Sequence, residues 1–339
     1  MMKILVTGGL GFIGSHTVVE LQTKGFEVLV IDNLSNSSLS ILDGIEKISG
    51  IRPYFEQLEL RDKASVFSFF EMHKDIVGVI HFAASKAVGE SVENPLLYYE
   101  NNINTLVYVL QALEKYQISN FIFSSSCTVY GQADELPITE NAPVKIAESP
   151  YGNTKQIGEE IIQDTCKVSE SLKAIALRYF NPIGAHPSVE LGELPIGVPQ
   201  NLVPYITQTG IGIRKELSVF GNDYPTVDGT CVRDYIHVVD LAKAHVVAIE
   251  RLVYNNNVDN YETYNIGTGK GSTVLEVIQS FERVSNTSLN YKIAPRRAGD
   301  IISAYADTTK VTKNLGWKAV STLDDAMRSA WNWEKKIKK

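Results

Sequence analysis

The feature that most constrains this chain is its opening, where a short apolar run at residues 3–7 breaks into glycines and resumes as a helical pattern. Gly9-Leu10-Gly11-Phe12-Ile13-Gly14 has the spacing GxGxxG, and Gly8 adds a second register with Gly11 and Gly14. Alone such a spacing is weak; after a strand and at the head of a helix it is specific. Glycine lets the backbone turn sharply and approach a diphosphate, while the helix N-terminus offers unpaired N–H groups and the positive end of its dipole. The next apolar run, 27–32, ends in Asp32, eighteen residues beyond Gly14. A carboxylate there can accept both hydroxyls of an adenosine ribose and would repel a 2′-phosphate. No arginine follows in Asn33-Leu34-Ser35-Asn36. The pattern points to NAD rather than NADP.

The same rhythm continues. Short apolar runs at 54–60, 78–82, 120–125 and 173–178 alternate with helical stretches such as 63–73, 95–116 and 152–168. Near-continuous apolar strands separated by helices specify a parallel sheet covered on both faces, so the expected fold is α/β, a Rossmann-type doubly wound parallel sheet. After Arg178 the rhythm breaks. Residues 181–200 are rich in proline and glycine, and 221–229 form another polar loop. One strand–helix pair returns at 235–238 and 240–252, with Asp240 placed like an N-cap, and further helices are expected at about 273–284 and 323–336. At 339 residues the length suits about two domains. A NAD-binding domain is expected over 1–180, with the chain returning to it at about 232–267. A smaller α/β substrate-binding domain takes most of 181–339.

Charge and cysteine usage exclude several classes. With 39 acidic against 32 basic residues, a net of −7, no general nucleic-acid partner is expected. Cys127, Cys166 and Cys231 are far apart and lack CxxC spacing, which argues for a reducing, cytoplasmic setting and against a zinc site. The histidines form no HExxH, so no metal is expected. No apolar run approaches the ~20 residues that span a membrane, and the opening is too glycine-rich for a signal peptide. Lys335, Lys336, Lys338 and Lys339 read as a solvated helix end.

The candidate chemistry lies in Tyr151-Gly152-Asn153-Thr154-Lys155, a YxxxK spacing. Residues four apart share a helix face, so the ammonium can lie beside the phenol. A neighbouring cation favours the phenolate and turns a poor base into a useful one. Ser124-Ser125-Ser126 closes a strand upstream, where strand ends face the ligand crevice and a hydroxyl can hydrogen-bond a substrate alcohol.

With these residues in view, the chain resembles the extended short-chain dehydrogenase/reductase family, and within it the UDP-galactose (UDP-glucose) 4-epimerases. The resemblance runs nearly end to end. It rests on Thr7–Gly14, His81-Phe82-Ala83-Ala84 with Lys86-Ala87-Val88-Gly89-Glu90-Ser91, Tyr98-Tyr99-Glu100-Asn101-Asn102, Ser124-Ser125-Ser126 with Thr128-Val129-Tyr130-Gly131, and Ser149-Pro150-Tyr151-Gly152 with Lys155. Arg178-Tyr179-Phe180-Asn181-Pro182, Phe220-Gly221-Asn222-Asp223-Tyr224 and Val232-Arg233-Asp234-Tyr235-Ile236-His237-Val238 complete it. The resemblance implies reversible C4′ epimerisation of UDP-galactose and UDP-glucose through a 4-keto sugar, with a resident NAD and a homodimer. Tyr151 would be the base for the sugar 4′-hydroxyl, Ser126 would share its proton, and Lys155 would hold the nicotinamide ribose. The implied cofactor contacts are Gly8, Gly11, Phe12, Ile13, Gly14, Asp32, Asn33, Glu59, Leu60, Phe82, Ala83, Ala84, Lys86, Asn101, Ser124, Tyr151, Lys155 and Tyr179. The implied UDP-sugar contacts are Lys86, Ser126, Tyr151, Asn181, Asn201, Leu202, Phe220, Arg233, Tyr235, Arg297, Asp300 and Ala304. For Arg233 and Arg297 there is a physical argument besides, since guanidinium groups bind diphosphate oxygens with charge-assisted, often bidentate bonds.

Two other readings compete. A nucleotide-sugar 4,6-dehydratase would begin in the same way but needs an Asp-Glu pair beside the serine, where this chain has Cys127-Thr128. A non-catalytic NAD-binding regulator would have no use for Ser126, Tyr151 and Lys155 together. Two departures from the family pattern stand out. Leu58-Glu59-Leu60-Arg61 carries a longer carboxylate where many members have aspartate near the adenine. Ala304 occupies a position where a large side chain, often tyrosine, narrows the sugar pocket, so UDP-GalNAc and UDP-GlcNAc are expected to be accepted as well.

Overall fold

The computed structural model describes residues 1–297 and 300–338; Ala298, Gly299 and the tail residue Lys339 lie outside the described residues. The chain runs β1 (Lys3–Thr7), α1 (Phe12–Thr23), β2 (Glu27–Asp32), α2 (Ser40–Ser49), β3 (Tyr54–Gln57), α3 (Lys63–Met72), β4 (Ile76–His81), α4 (Val88–Glu93), α5 (Pro95–Tyr116), β5 (Asn120–Ser124), α6 (Pro150–Val168) and β6 (Lys173–Tyr179). It continues through β7 (Asn181–Ile183), α7 (Leu202–Gly210), β8 (Leu217–Phe220), β9 (Val232–Arg233), β10 (Tyr235–His237), α8 (Val238–Val253) and β11 (Tyr261–Ile266). The last elements are β12 (Ser272–Thr273), α9 (Val274–Ser285), β13 (Tyr291–Ala294), β14 (Ser303–Ala304), α10 (Thr309–Leu315) and α11 (Leu323–Ile337).

Two compact units emerge. The first takes in Met1–Gly131, Val144–Arg178 and Ala242–Tyr264. It holds a seven-stranded sheet in the order β11-β6-β5-β4-β1-β2-β3, with parallel pairing from β3 through β6. The doubly wound α/β fold is the one expected. Its strands are apolar on both faces because both faces are covered; all of Ile4, Leu5, Val6 and Val30 are fully buried. One face packs Leu5, Ile31, Val79 and Phe121 against Phe69 and Phe70 of α3, Leu106 and Val109 of α5, and Ile162 of α6. β1 sits between β2 and β4, so the winding reverses at its carboxyl end, where such sheets open a ligand crevice.

The second unit takes in Gln132–Pro143, Tyr179–Leu241 and Asn265–Lys339. Its strands are short: β7 pairs with β10, β9 lies between β12 and β14, and β8 pairs with β13. A separate core gathers Val203 and Ile206 of α7, Val219 of β8, Val277 and Phe281 of α9, and Met327 and Trp331 of α11. Capping boxes start both large helices, Thr273 with Glu276 and Thr322 with Asp325.

Several local expectations change. The run at 54–60 is strand only as far as Gln57, although Leu58 and Leu60 are buried beyond it. The proline- and glycine-rich 181–200 contains β7, and α7 follows it. Asp240 does not cap α8. The helix starts at Val238, directly from β10, and the Asp240 carboxylate accepts from the backbone N–H groups of Val320 and Ser321 at 3.1 and 2.8 Å. Among the described residues no helix is long and apolar enough to cross a membrane, and no group of three His, Cys, Asp or Glu could hold a metal ion.

Candidate active site

The glycine turn after β1 is built from backbone packing that tolerates no side chain. Gly8 has φ +67°, and its N–H donates to the Ile31 carbonyl at 2.7 Å. A Cβ on Gly14 would lie 2.3 Å from the Gly8 carbonyl oxygen, so α1 begins closer to the turn than any larger residue allows. At Gly11, the N-cap of α1, no side chain caps the helix, which leaves first-turn N–H groups including those of Phe12 and Ile13 without a side-chain acceptor. Asp32, buried at the end of β2, accepts from Leu10 N at 3.1 Å and from Leu34 N and Ser37 Oγ at 2.9 and 2.8 Å. Backbone N–H donors for a diphosphate, beside a buried carboxylate that can accept from a ribose diol, are the groups that an adenosine diphosphate requires, so these residues fit NAD.

Around this cradle the sequence-predicted positions fall as follows. Glu59 accepts from Asn33 Nδ2 at 3.1 Å and from Arg61 Nη2 at 3.0 Å, and the Arg61 contact lowers its carboxyl to about 2. Leu60 is buried beside it. Phe82, Ala83 and Ala84 follow β4 and run beside the turn, so that a Cβ on Gly8 would come 2.8 Å from the Ala83 nitrogen. Asn101 Nδ2 donates to Ser85 Oγ at 3.1 Å, whereas Lys86 stands exposed on the same loop. The buried neighbour Asn102 was not singled out from the sequence, yet it ties this loop to α6. It receives Ser85 N at 2.8 Å and donates to Thr154 Oγ1 at 3.0 Å.

The helix that carries YxxxK begins at Pro150, capped by Ser149, whose Oγ accepts from Gly152 N at 3.2 Å. This cap sets Tyr151 in the first turn, buried at 7% exposure. Lys155 is buried too; its Nζ donates to the Ser124 carbonyl at 2.8 Å and stands 4.8 Å from the Phe123 ring centre and 5.9 Å from that of Tyr151. Burial lowers its ammonium to about 8, and the negative charge of Glu159 opposes that fall. His81, at the end of β4, is held down to about 3 by burial and by the Lys155 charge, so it is neutral, with Nδ1 2.8 Å from Thr7 Oγ1. Ser126 is buried at the end of the Ser124–Ser126 run and caps the short 3-10 turn Cys127–Tyr130 through Thr128 N at 3.2 Å. A phenol and a buried cation on α6, with a hydroxyl just beyond the end of β5, are the groups needed to remove and return an alcohol proton.

The second unit places the residues expected at a UDP-sugar. β14 pairs with β9 so that Ala304 lies opposite Arg233. Arg297 binds Asp300 bidentately at 2.7 and 3.2 Å, and Arg233 Nη2 reaches the same carboxylate at 3.8 Å. The Arg297 guanidinium sits 5.8 Å from the ring centre of the half-exposed Phe220. Tyr235 follows on β10, and Asn181 pairs there through the Asp234 carbonyl at 2.9 Å; Tyr179, expected at the cofactor, closes β6. Asn201 precedes Leu202 at the head of α7 and donates to Glu193 at 2.6 Å. Ala304 is almost fully buried. Asp234, between two of these residues, accepts from Thr268, Gly269 and Ala306 backbone N–H groups and so locks the strand that carries them.

A family model described as GDP-mannose 4,6 dehydratase matches residues 5–330. The UDP-glucose 4-epimerase of Bacillus subtilis (strain 168) is 48% identical over 333 residues, 98% of this chain and 97% of that protein. Two crystal structures superpose closely. UDP-glucose-4-epimerase from Stenotrophomonas maltophila, with bound NAD and formylated UDP-arabinopyranose, gives a TM-score of 0.96 at 44% identity and covers 100% of this chain and 99% of that one. UDP-glucose 4-epimerase from Bifidobacterium longum, in complex with NAD+ and UDP, gives 0.94 at 46% identity, covering 99% and 98%. The broad family model does not separate epimerase from dehydratase, but identity of this extent over the whole length of both chains does. The resemblance read from the motifs is borne out, and the chain belongs to the UDP-glucose 4-epimerases of the extended short-chain dehydrogenase/reductase family.

Proposed function

We propose that this protein interconverts UDP-galactose and UDP-glucose at C4′, using a resident NAD and a 4-keto sugar, and that it also takes the N-acetylated pair. The observation that carries this reading is the Tyr151–Lys155 face of α6, with Lys155 buried and bonded to the Ser124 carbonyl at 2.8 Å. NAD, when bound, supplies the reversible hydride acceptor that oxidation at C4′ requires. Gly8, Gly11, Phe12, Ile13 and Gly14 would hold its diphosphate, and Asp32 its adenosine ribose. Tyr151 takes the proton of the 4′-hydroxyl and gives it back. Ser126 shares that proton through its hydroxyl. The Lys155 ammonium holds Tyr151 toward its phenolate form. Arg233 and Arg297 exchange their hold on Asp300 for the substrate diphosphate, so the sugar can turn while its anchor stays. Ala304 leaves room for a 2′-N-acetyl group.

The dehydratase alternative lacks its acid and base at Cys127-Thr128, and a regulator gains nothing from a buried lysine beside a tyrosine. A homodimer formed through α5 and α6 and a cytoplasmic setting belong to the same reading. The exposed Leu96 and Leu97 at the start of α5, and Cys127, Cys166 and Cys231 standing outside any disulfide among the described residues, support them. Incubating the purified protein with UDP-galactose, without added NAD, and separating the products tests the function. UDP-glucose is expected; a 4-keto-6-deoxy product would replace this reading with the dehydratase.

A further inference from the structure

Behind the proposed base lies a buried ion pair that takes no part in the steps just described. Glu159 stands one helical turn beyond Lys155 on α6, as Lys155 stands one turn beyond Tyr151, so the three share a face. Arg178, near the end of β6, donates to Glu159 from Nε at 2.9 and 3.1 Å and from Nη2 at 2.5 Å. Its Nη1 donates to the buried Tyr130 hydroxyl at 3.0 Å. Ser125, with no exposed surface, donates from Oγ to Glu159 Oε1 at 2.5 Å.

A buried ion pair is by itself weak evidence of stabilisation, because desolvation offsets most of its attraction. What distinguishes this one is the residue it grips. Ser125 lies between Ser124, whose carbonyl accepts from Lys155, and Ser126, to whose hydroxyl the function proposed above gives a share of the substrate proton. Resting on the function proposed above, we infer that Glu159, held by Arg178, is a positioning residue: through Ser125 it fixes the stretch of backbone that presents the Ser124 carbonyl to Lys155 and the Ser126 hydroxyl to the sugar. The Glu159 carboxylate also acts on Lys155 directly, since its charge holds the ammonium protonated against burial. The titratable groups that face this cluster are Tyr151 on the same helix, neutral His81 on β4, Tyr130 after β5, Arg178 on β6 and Tyr261 on β11.

The test compares wild type, Ser125→Ala and Glu159→Gln as purified proteins with their resident NAD, measuring kcat and KM for UDP-galactose across pH. Ser125→Ala leaves the ion pair intact and folds even if Glu159→Gln, which strands a buried Arg178, does not. Its kcat is expected to fall about tenfold or more, with KM and NAD content within about twofold, because the loss is one of geometry at the reacting atoms. Glu159→Gln is expected to show the same fall and to move the alkaline limb of the kcat profile to lower pH. A purely structural role would lower Tm and the yield of folded protein while leaving kcat per folded molecule unchanged. If Ser125→Ala keeps wild-type kcat while wild type epimerises, the inference is overturned and the function stands. If wild type itself has no epimerase activity, the function falls and the inference with it.

Discussion

Replacing Lys155 by methionine keeps roughly the length of the side chain and removes the charge, together with the bond its Nζ donates to the Ser124 carbonyl at 2.8 Å. The ammonium lies 5.9 Å from the centre of the Tyr151 ring. At an effective dielectric constant of about 20, opposite charges at that separation attract by about 3 kcal/mol, which at 1.4 kcal/mol per decade is about 100-fold in available base. Lys155→Met is therefore expected to lower kcat for UDP-galactose about 100-fold at pH 7, measured per molecule of bound NAD so that lost cofactor is not counted as lost chemistry. The wild-type profile should decline above about pH 8, where the ammonium deprotonates, and the variant should lack that limb. Stability carries the opposite sign. Lys155 titrates at about 8 in the folded protein and at 10.5 when unfolded, so below pH 8 its buried charge disfavours the folded state by about 3 kcal/mol. Between pH 8 and 10.5 the unfolded chain binds the extra proton, and this penalty fades as pH rises. Wild type should thus gain on Lys155→Met across that window in urea unfolding. A variant within threefold of wild-type kcat at pH 7, with NAD retained, would refute the electrostatic role.

Other perturbations separate the parts of the site. Gly14→Ala drives a Cβ to 2.3 Å from the Gly8 carbonyl, so the purified variant should carry little NAD and have a lowered Tm; full NAD content would remove the glycine turn from the cofactor site. Ala304→Tyr should cut turnover of UDP-GalNAc about 100-fold relative to UDP-galactose, and equal loss on both sugars would show that this position does not select them. Arg297→Ala gives up a guanidinium that Asp300 now holds at 2.7 Å, and KM for UDP-galactose should rise far more than kcat falls.

The first unit was largely legible because its signals are local. The strands β1 and β2, the glycine turn and Asp32 stand within one stretch of chain, and the helix α5 matches its periodic pattern at both ends. The second unit was harder to read. Its strands β9, β12 and β14 have two residues each, too few for a period of two to register, and they exist because Asp234 and the loops that bond it hold them. Asp240 misled for a related reason: a carboxylate before an apolar run resembles a cap, but its partners, Val320 and Ser321, lie eighty residues away. Tyr151, Lys155 and Ser126 were found through spacing and resemblance. Glu159 stood at the next i+4 step on the same face and Arg178 stood in a quoted motif, yet only the folded chain brings both to Ser125.

The central claim is that Tyr151 is the base of an NAD-dependent epimerisation. Tyr151→Phe removes one oxygen from a ring that is 7% exposed and leaves its packing in place. Measured beside wild type, the purified variant should hold the same amount of NAD and convert UDP-galactose to UDP-glucose about 100- to 10,000-fold more slowly. Equal NAD content with turnover within tenfold of wild type would contradict the account.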